Sequence, residues 1–283
     1  MTQHHRPLET VAGRFRPWHL GLATALILAL LGGCSSEKGD STTTAASAQS
    51  SQVDPLAALK WAERVAGVST TSAESLVDGS DRTWSCASCH GEHGEGSNRI
   101  PALAGLPAGY IAKQLKDFAN GTRQNATMSY LARSLSDDEM AALGRYYASR
   151  TIETPAGASL GGEIERGLTL ALKGDWRVSA PACYSCHGSA GWGVGQAFPP
   201  IAGQHPVYIY QQLVAFDTGR RKNDPENFMH DVARMLSDAD RRAVADYLAS
   251  RPPRQVPTPL SLGAPSPDRS PESEQSIQEE DAR

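Results

Sequence analysis

The chain has 283 residues, enough for two domains of ordinary size, and its 40% hydrophobic and 20% charged content fits a soluble globular protein carrying some extra polar sequence. A net charge of −4, with no basic stripe anywhere, argues against nucleic acid as a partner. Basic and acidic residues nearly balance over 55–150 (ten and ten) and 151–251 (ten and eleven), whereas 252–283 carries three and six, so most of the acidity lies in the tail.

The N-terminus reads as a targeting segment. Arg6, Arg14 and Arg16 precede an apolar run of twelve residues, 20–31, which is too short to favour a full membrane span. The run ends in Leu31-Gly32-Gly33-Cys34, which resembles the bacterial lipobox, where the signal is cut and the cysteine becomes the lipid-bearing N-terminus. Residues 1–33 are therefore expected to be a lipoprotein signal peptide and Cys34 the lipidation site. An uncleaved anchor or an ordinary signal peptide is the alternative, and export follows from either. Residues 34–54 are small, polar and aperiodic, as in a flexible tether. Apolar residues at helical spacing over 55–67, closed by Gly67, predict a helix.

The next stretch, Cys86-Ala87-Ser88-Cys89-His90, recurs as Cys183-Tyr184-Ser185-Cys186-His187. C-x-x-C-H is the attachment signature of haem c. Cysteines three apart on one helical turn bring two sulfurs to the two haem vinyl groups, and the histidine meets the iron from the proximal side. A zinc site built from two C-x-x-C pairs, or two redox dithiols, could use the same cysteines. Neither needs a histidine directly after the second cysteine in both copies. Two covalent haem c groups are therefore expected, held by Cys86, Cys89 and His90 and by Cys183, Cys186 and His187. The motifs use four of five cysteines, so no structural disulfide is expected.

The motifs head an internal repeat. Residues 101–105 answer 199–203, 110–115 answer 208–213, Phe118 answers Phe216, and Gly121 and Arg123 answer Gly219 and Arg221. Each half closes on a predicted helix, 139–149 and 241–250, introduced by Leu-Ser-Asp with Ser or Asp as N-cap. The resulting division is a first domain over 55–150, a linker over 151–162 and a second domain over 163–251 that opens with a helix over 163–173. From 252 the composition is rich in Pro, Ser and Glu and predicts disorder.

Register also selects the second axial ligand. Met128 and Met229 align with each other, 38 and 42 residues past their histidines, whereas Met140 and Met235 have no methionine partner. Met128 and Met229, read as loop residues, are thus the expected sixth ligands, and a thioether there raises the reduction potential. His93 is expected to face solvent, His205 to be a surface or capping residue, and His230 to stay off the iron.

Together these pieces resemble cytochrome c4, a dihaem family of two class I cytochrome c domains in tandem. The resemblance covers 84–150 and 165–251 through C-x-x-C-H-G, the P-x-x-A-G and P-x-I-A-G loops, the Y-I-x-x-Q-L helix, the methionine segment and L-S-D-x-(D/E). It implies an all-α fold of a few helices around each haem. It also implies a proline carbonyl, from Pro101 and Pro199, receiving the proximal histidine's free N–H. Function by resemblance is periplasmic transfer of single electrons, for example from the bc1 complex to a haem–copper terminal oxidase. The same sites would serve an electron-transfer subunit of a periplasmic dehydrogenase. A dihaem enzyme such as a peroxidase would need an open iron. The stretch 61–84, the lipobox and the long tail depart from the family and leave the partner open. If Cys34 carries the anchor, Cys34→Ala should move the protein from the membrane to the soluble periplasmic fraction or block its processing; unchanged processing and membrane association would contradict it.

Overall fold

The computed structural model describes residues 53–81, 83–152 and 156–255. The expected signal peptide, Cys34, nearly all of the expected tether and the residues beyond Gln255 lie outside the described residues. Those described form helices α1 (Ala57–Ala66), α2 (Thr71–Asp78), α3 (Ala87–His90), α4 (Ala108–Asn120), α5 (Ala126–Ala132) and α6 (Asp137–Ala148). The second half adds α7 (Ile164–Leu172), α8 (Cys183–His187), α9 (Pro206–Asp217), α10 (Phe228–Met235) and α11 (Asp238–Ala249). Among the described residues β-pairing is confined to isolated bridges, and no helix is long and apolar enough to cross a membrane. The architecture is all-α.

Local chemistry sets the helix ends. Ser136 and Ser237 begin α6 and α11 with complete capping boxes, each hydroxyl accepting from the backbone N–H of Glu139 or Asp240. Gly121 ends α4 in the left-handed conformation (φ +85°). Pro206 opens α9 at the first helical turn, where its missing N–H costs nothing.

The halves repeat helix for helix, α2 to α6 answering α7 to α11. Helix α1 is additional and packs on α4 and α6. Helix α2 lies past the helix expected over 55–67, in the part of the stretch 61–84 for which the residue pattern gives no helix; its Ala73, Leu76 and Val77 are buried. Beside larger core side chains such as Met140, Tyr147 and Leu170, alanines fill the helix contacts: Ala73, Ala112, Ala141 and Ala142 are wholly buried in the first half and Ala171, Ala233, Ala245 and Ala249 in the second. Small residues let the helices approach closely. A Cβ on Gly144 would strike the Ala108 carbonyl of α4, and one on Gly167 the Ala243 carbonyl of α11.

Helices α4 and α9 each have two buried faces. Ile111 and Phe118 of α4, and Ile209, Leu213 and Phe216 of α9, point into their own halves. Their polar faces meet each other. Arg123 donates to Gln114 Oε1 (2.8 Å), Tyr208 Oη (2.8 Å) and Gln212 Oε1 (2.8 Å). Arg221 mirrors it, donating to Gln212 Oε1 (2.9 Å), Tyr110 Oη (3.2 Å) and Gln114 Oε1 (3.2 Å). The two arginines also form an antiparallel backbone bridge, and each lies over the phenylalanine of its own half, Phe118 or Phe216. This is a local two-fold built from repeat-equivalent residues. Lys113, Asp117 and Asn223 break it, because Lys113 Nζ donates to Asp117 and to the Asn223 carbonyl while Asn223 Nδ2 donates to Gln114 and Asp117. Burial alone would raise the Tyr110 phenol; Arg221 and Arg123 instead hold it below its ordinary value.

Buried polar groups left without partners cost about 1–3 kcal/mol each. Arg221→Met removes the donor to Tyr110 Oη and Asn223 Oδ1, and one of the donors that Gln114 and Gln212 receive. It should lower the melting temperature by several degrees and split unfolding into two calorimetric transitions, one per half; a single transition at the parent temperature would show that the network contributes nothing to holding the halves together.

Candidate haem sites

Both C-x-x-C-H motifs fold as a single helical turn, α3 and α8, stopped by a glycine at positive φ (Gly91, +83°; Gly188, +77°). Each motif hangs from the preceding helix through its first cysteine. Cys86 Sγ lies 3.3 Å from the Leu76 carbonyl of α2, which also accepts from the Cys86 backbone N–H (3.4 Å), and Cys183 Sγ lies 3.7 Å from the Leu170 carbonyl of α7. Cys89 and Cys186 are exposed.

His90 and His187 are buried, and their Nδ1 atoms lie 2.9 Å from the Pro101 carbonyl and 2.8 Å from the Pro199 carbonyl. A carbonyl oxygen can only accept, so Nδ1 carries the proton in both rings. That tautomer leaves Nε2 with its lone pair free. Burial also holds both imidazoles below their ordinary pKa, which keeps them neutral and able to ligate a metal.

The loop between histidine and proline is one residue longer in the second half, yet its main backbone bonds correspond. Gly96 N donates to the His90 carbonyl and Gly193 N to the His187 carbonyl, at 2.7 Å each. Gly94 O accepts from Leu103 and Ala104, as Gly191 O does from Ile201 and Ala202. These glycines form a His-Gly-x-x-Gly-x-Gly pattern repeated after each motif, a sequence signal that the motif reading alone passes over. Gly96 has φ +68°, and a Cβ there would sit 2.5 Å from the Ile100 oxygen and from the Pro101 carbonyl carbon.

Met128 and Met229 are half-buried and lie in helices, not in the loops expected from sequence. Short side-chain caps explain the difference. Asn125 Oδ1 accepts from Met128 N (3.0 Å) and Asp224 Oδ2 from Met229 N (2.8 Å), fixing each methionine in the first turn of α5 or α10. Contacts bring these helices toward the motifs: Trp84 and Tyr130 rings lie 6.3 Å apart, and Met229 packs on the same core as Cys183. Met140 is instead a core residue, 1% exposed, and Met235 packs against the second core. His93 is exposed. His230 Nδ1 is hydrogen-bonded to the Phe216 carbonyl, and His205 reaches across to the Glu95 carbonyl of the other half, a role beyond the surface or capping one expected.

This donor set fits covalent haem better than its rivals. A redox dithiol needs a depressed thiol pKa, whereas burial pushes Cys86 and Cys183 up to about 11. Among the described residues, no three of His, Cys, Asp and Glu are gathered as for a shared metal ion. Large apolar side chains stand exposed within two residues of the motif or methionine positions: Trp84, Tyr130 and Phe228, with Phe198 beside the proline that faces His187. They suit a broad, flat, apolar group.

The fold and these paired sites define a c-type cytochrome with two haems, and the family profile described as cytochrome c matches residues 80–150 and 171–252, so the chain belongs to the cytochrome c family. It carries two covalently bound haem c groups. Among relatives, a thiosulfate dehydrogenase electron acceptor of Thiomonas intermedia (strain K12) is 44% identical over 171 residues, covering 59% of this chain and 79% of the relative. A cytochrome c4 of Thiocapsa roseopersicina is 40% identical, covering 58% and 85%. Among solved structures, a thiosulfate dehydrogenase (TsdBA) of Marichromatium purpuratum in its as-isolated form superposes with a TM-score of 0.62 at 35% identity. That match covers 70% of this chain but only 45% of the other.

Two glycine substitutions separate clash from strain. Gly121 has φ +85° with nothing within 4 Å of where a Cβ would sit, so Gly121→Ala should cost only left-handed strain, about 1–2 kcal/mol. Gly96→Ala adds a collision with the peptide that holds His90, and should lower stability more and reduce haem occupancy of the first half alone. Equal losses for both, measured by thermal melts and haem-stained mass, would contradict the role given to Gly96.

Proposed function

We propose that this chain stores and passes single electrons as the acceptor for a periplasmic sulfur-compound dehydrogenase, tethered through lipid on Cys34. Electron transfer of the cytochrome c4 kind is common ground for the relatives. The name of the Thiomonas intermedia protein favours a dehydrogenase as electron donor over the bc1 complex, and a terminal oxidase remains the natural exit. In this reading Cys86 and Cys89 bind one haem and Cys183 and Cys186 the other. His90 and Met128 are axial ligands in the first half, His187 and Met229 in the second. Each haem, when bound, supplies one reversible one-electron couple.

The observation that carries this reading is the duplication of a complete ligand set. Both halves present a neutral histidine with Nε2 free, held by a proline carbonyl, and a methionine, in the first turn of a helix, whose backbone N–H is held by a side-chain oxygen. A soft thioether favours ferrous iron and leaves no open position, which suits a carrier and not a peroxidase. The chain's own residues do the rest: burial keeps both imidazoles neutral, and the glycine loops hold the two carbonyls in place.

Replacing Met128 or Met229 with alanine should leave haem attached but abolish about half of the methionine-to-ferric-iron absorption, and confer carbon monoxide binding on one haem. Met140→Ala and Met235→Ala should leave that absorption unchanged and cost at most about 2–5 kcal/mol of packing. For the partner, stopped-flow reduction by a thiosulfate dehydrogenase with thiosulfate should be much faster than reduction by bc1 complex with quinol; the reverse order would contradict the dehydrogenase assignment.

A further inference from the structure

We propose that Gln204, a residue of the second half, is a positioning residue for the proximal histidine of the first, and biases the first haem toward its ferric state. The peptide that accepts the His90 proton is Pro101–Ala102. Its carbonyl oxygen faces His90 Nδ1 at 2.9 Å, and its N–H, on Ala102, donates to Gln204 Oε1 at 2.9 Å. Gln204 Nε2 donates in turn to the Ala102 carbonyl at 3.0 Å, and Gln204 Oε1 accepts a second N–H, that of His205, at 3.0 Å. The amide orientation is fixed by this set, because a flipped Gln204 would turn its NH2 group onto two N–H donors. Gln204 is buried, and Gly96 packs against the other side of the same peptide.

A peptide whose N–H donates to a good acceptor gains electron density on its oxygen, since hydrogen bonds in series polarise one another. The Pro101 oxygen is thereby a stronger acceptor, and the His90 ring a more basic ligand. A more basic ligand stabilises ferric over ferrous iron, lowering that haem's potential.

The second half has no such chain. Pro200 occupies the place of Ala102, so the peptide that accepts from His187 has no N–H to give. Leu106, the counterpart of Gln204, is apolar. Two halves whose proximal histidines are held by corresponding backbone bonds thus differ at the peptide behind the proline carbonyl, and the extra bond there is supplied across the domain boundary.

The inference rests on His90 as iron ligand, so histidine ligation of both haems is checked first; a first haem without histidine ligation would overturn this proposal, whereas loss of the methionine alone would overturn only the ligand set proposed above. Potentials are then followed through haem methyl resonances assigned to each half by their attachment to Cys86 and Cys89 or to Cys183 and Cys186. Gln204→Met, similar in shape without the acceptor oxygen, should raise the potential of the first haem alone. At a fixed poise its oxidised-to-reduced ratio should fall by a factor of about 3 to 10, the upper end being about 59 mV for a one-electron couple. An unmoved first haem, or two haems moving together, would overturn the proposal. Should Gln204→Met not fold, Gln204→Glu decides: keeping the acceptor and adding charge, it must lower the first potential, and an unchanged or raised value overturns the proposal.

Discussion

The proximal side of each site depends on one hydrogen bond, from a buried histidine Nδ1 to a proline carbonyl, and much of the surrounding backbone exists to hold it. The bond settles the tautomer, which settles that Nε2 is the free nitrogen, which settles the side of the imidazole on which an iron would lie. Holding the carbonyl requires a tight loop, and the loop requires glycine at Gly96 and Gly193, where a Cβ would meet backbone. In the first half the motif is also tied to the preceding helix, by the Cys86 backbone N–H donating to the Leu76 carbonyl. Sequence, loop geometry and ligand chemistry are one constraint met twice.

Between the halves the solution is different in kind. Apolar faces of α4 and α9 are already committed to their own cores, so the surface left for association is polar: Tyr110, Gln114 and Arg123 against Tyr208, Gln212 and Arg221. Burying two guanidiniums is tolerable because each is held by several acceptors and each cation lies over an aromatic face. Directional bonds between repeat-equivalent residues fix one relative placement of the halves, which an apolar contact of the same area would specify less sharply. A carrier that passes electrons through two centres needs their separation fixed.

Much of this is legible in the sequence. The repeat places the histidines, the methionines and the prolines in register, and the capping boxes at Ser136 and Ser237 stand where Leu-Ser-Asp puts them. Three helices escape that reading for a common reason. Helix α2 is eight residues long, and α5 and α10 are seven and eight, too short for periodicity to stand out; α5 is fixed by its Asn125 cap, and α10 by Asp224, which lies ahead of the helix and accepts from Met229 N. The polar interface is invisible because Gln114 and Arg123 have the composition of a solvated face. Only the fold shows that they are buried. His205 and Gln204 are hidden likewise, since nothing local to them points to partners in the other half of the chain.

The central claim is that each half offers iron one histidine and one methionine. Near-infrared magnetic circular dichroism of the fully oxidised protein reads axial ligation at both haems in one spectrum. The account predicts a histidine–methionine signature with the intensity of two haems per chain. A bis-histidine band, a high-spin signal, or histidine–methionine intensity for a single haem would contradict it.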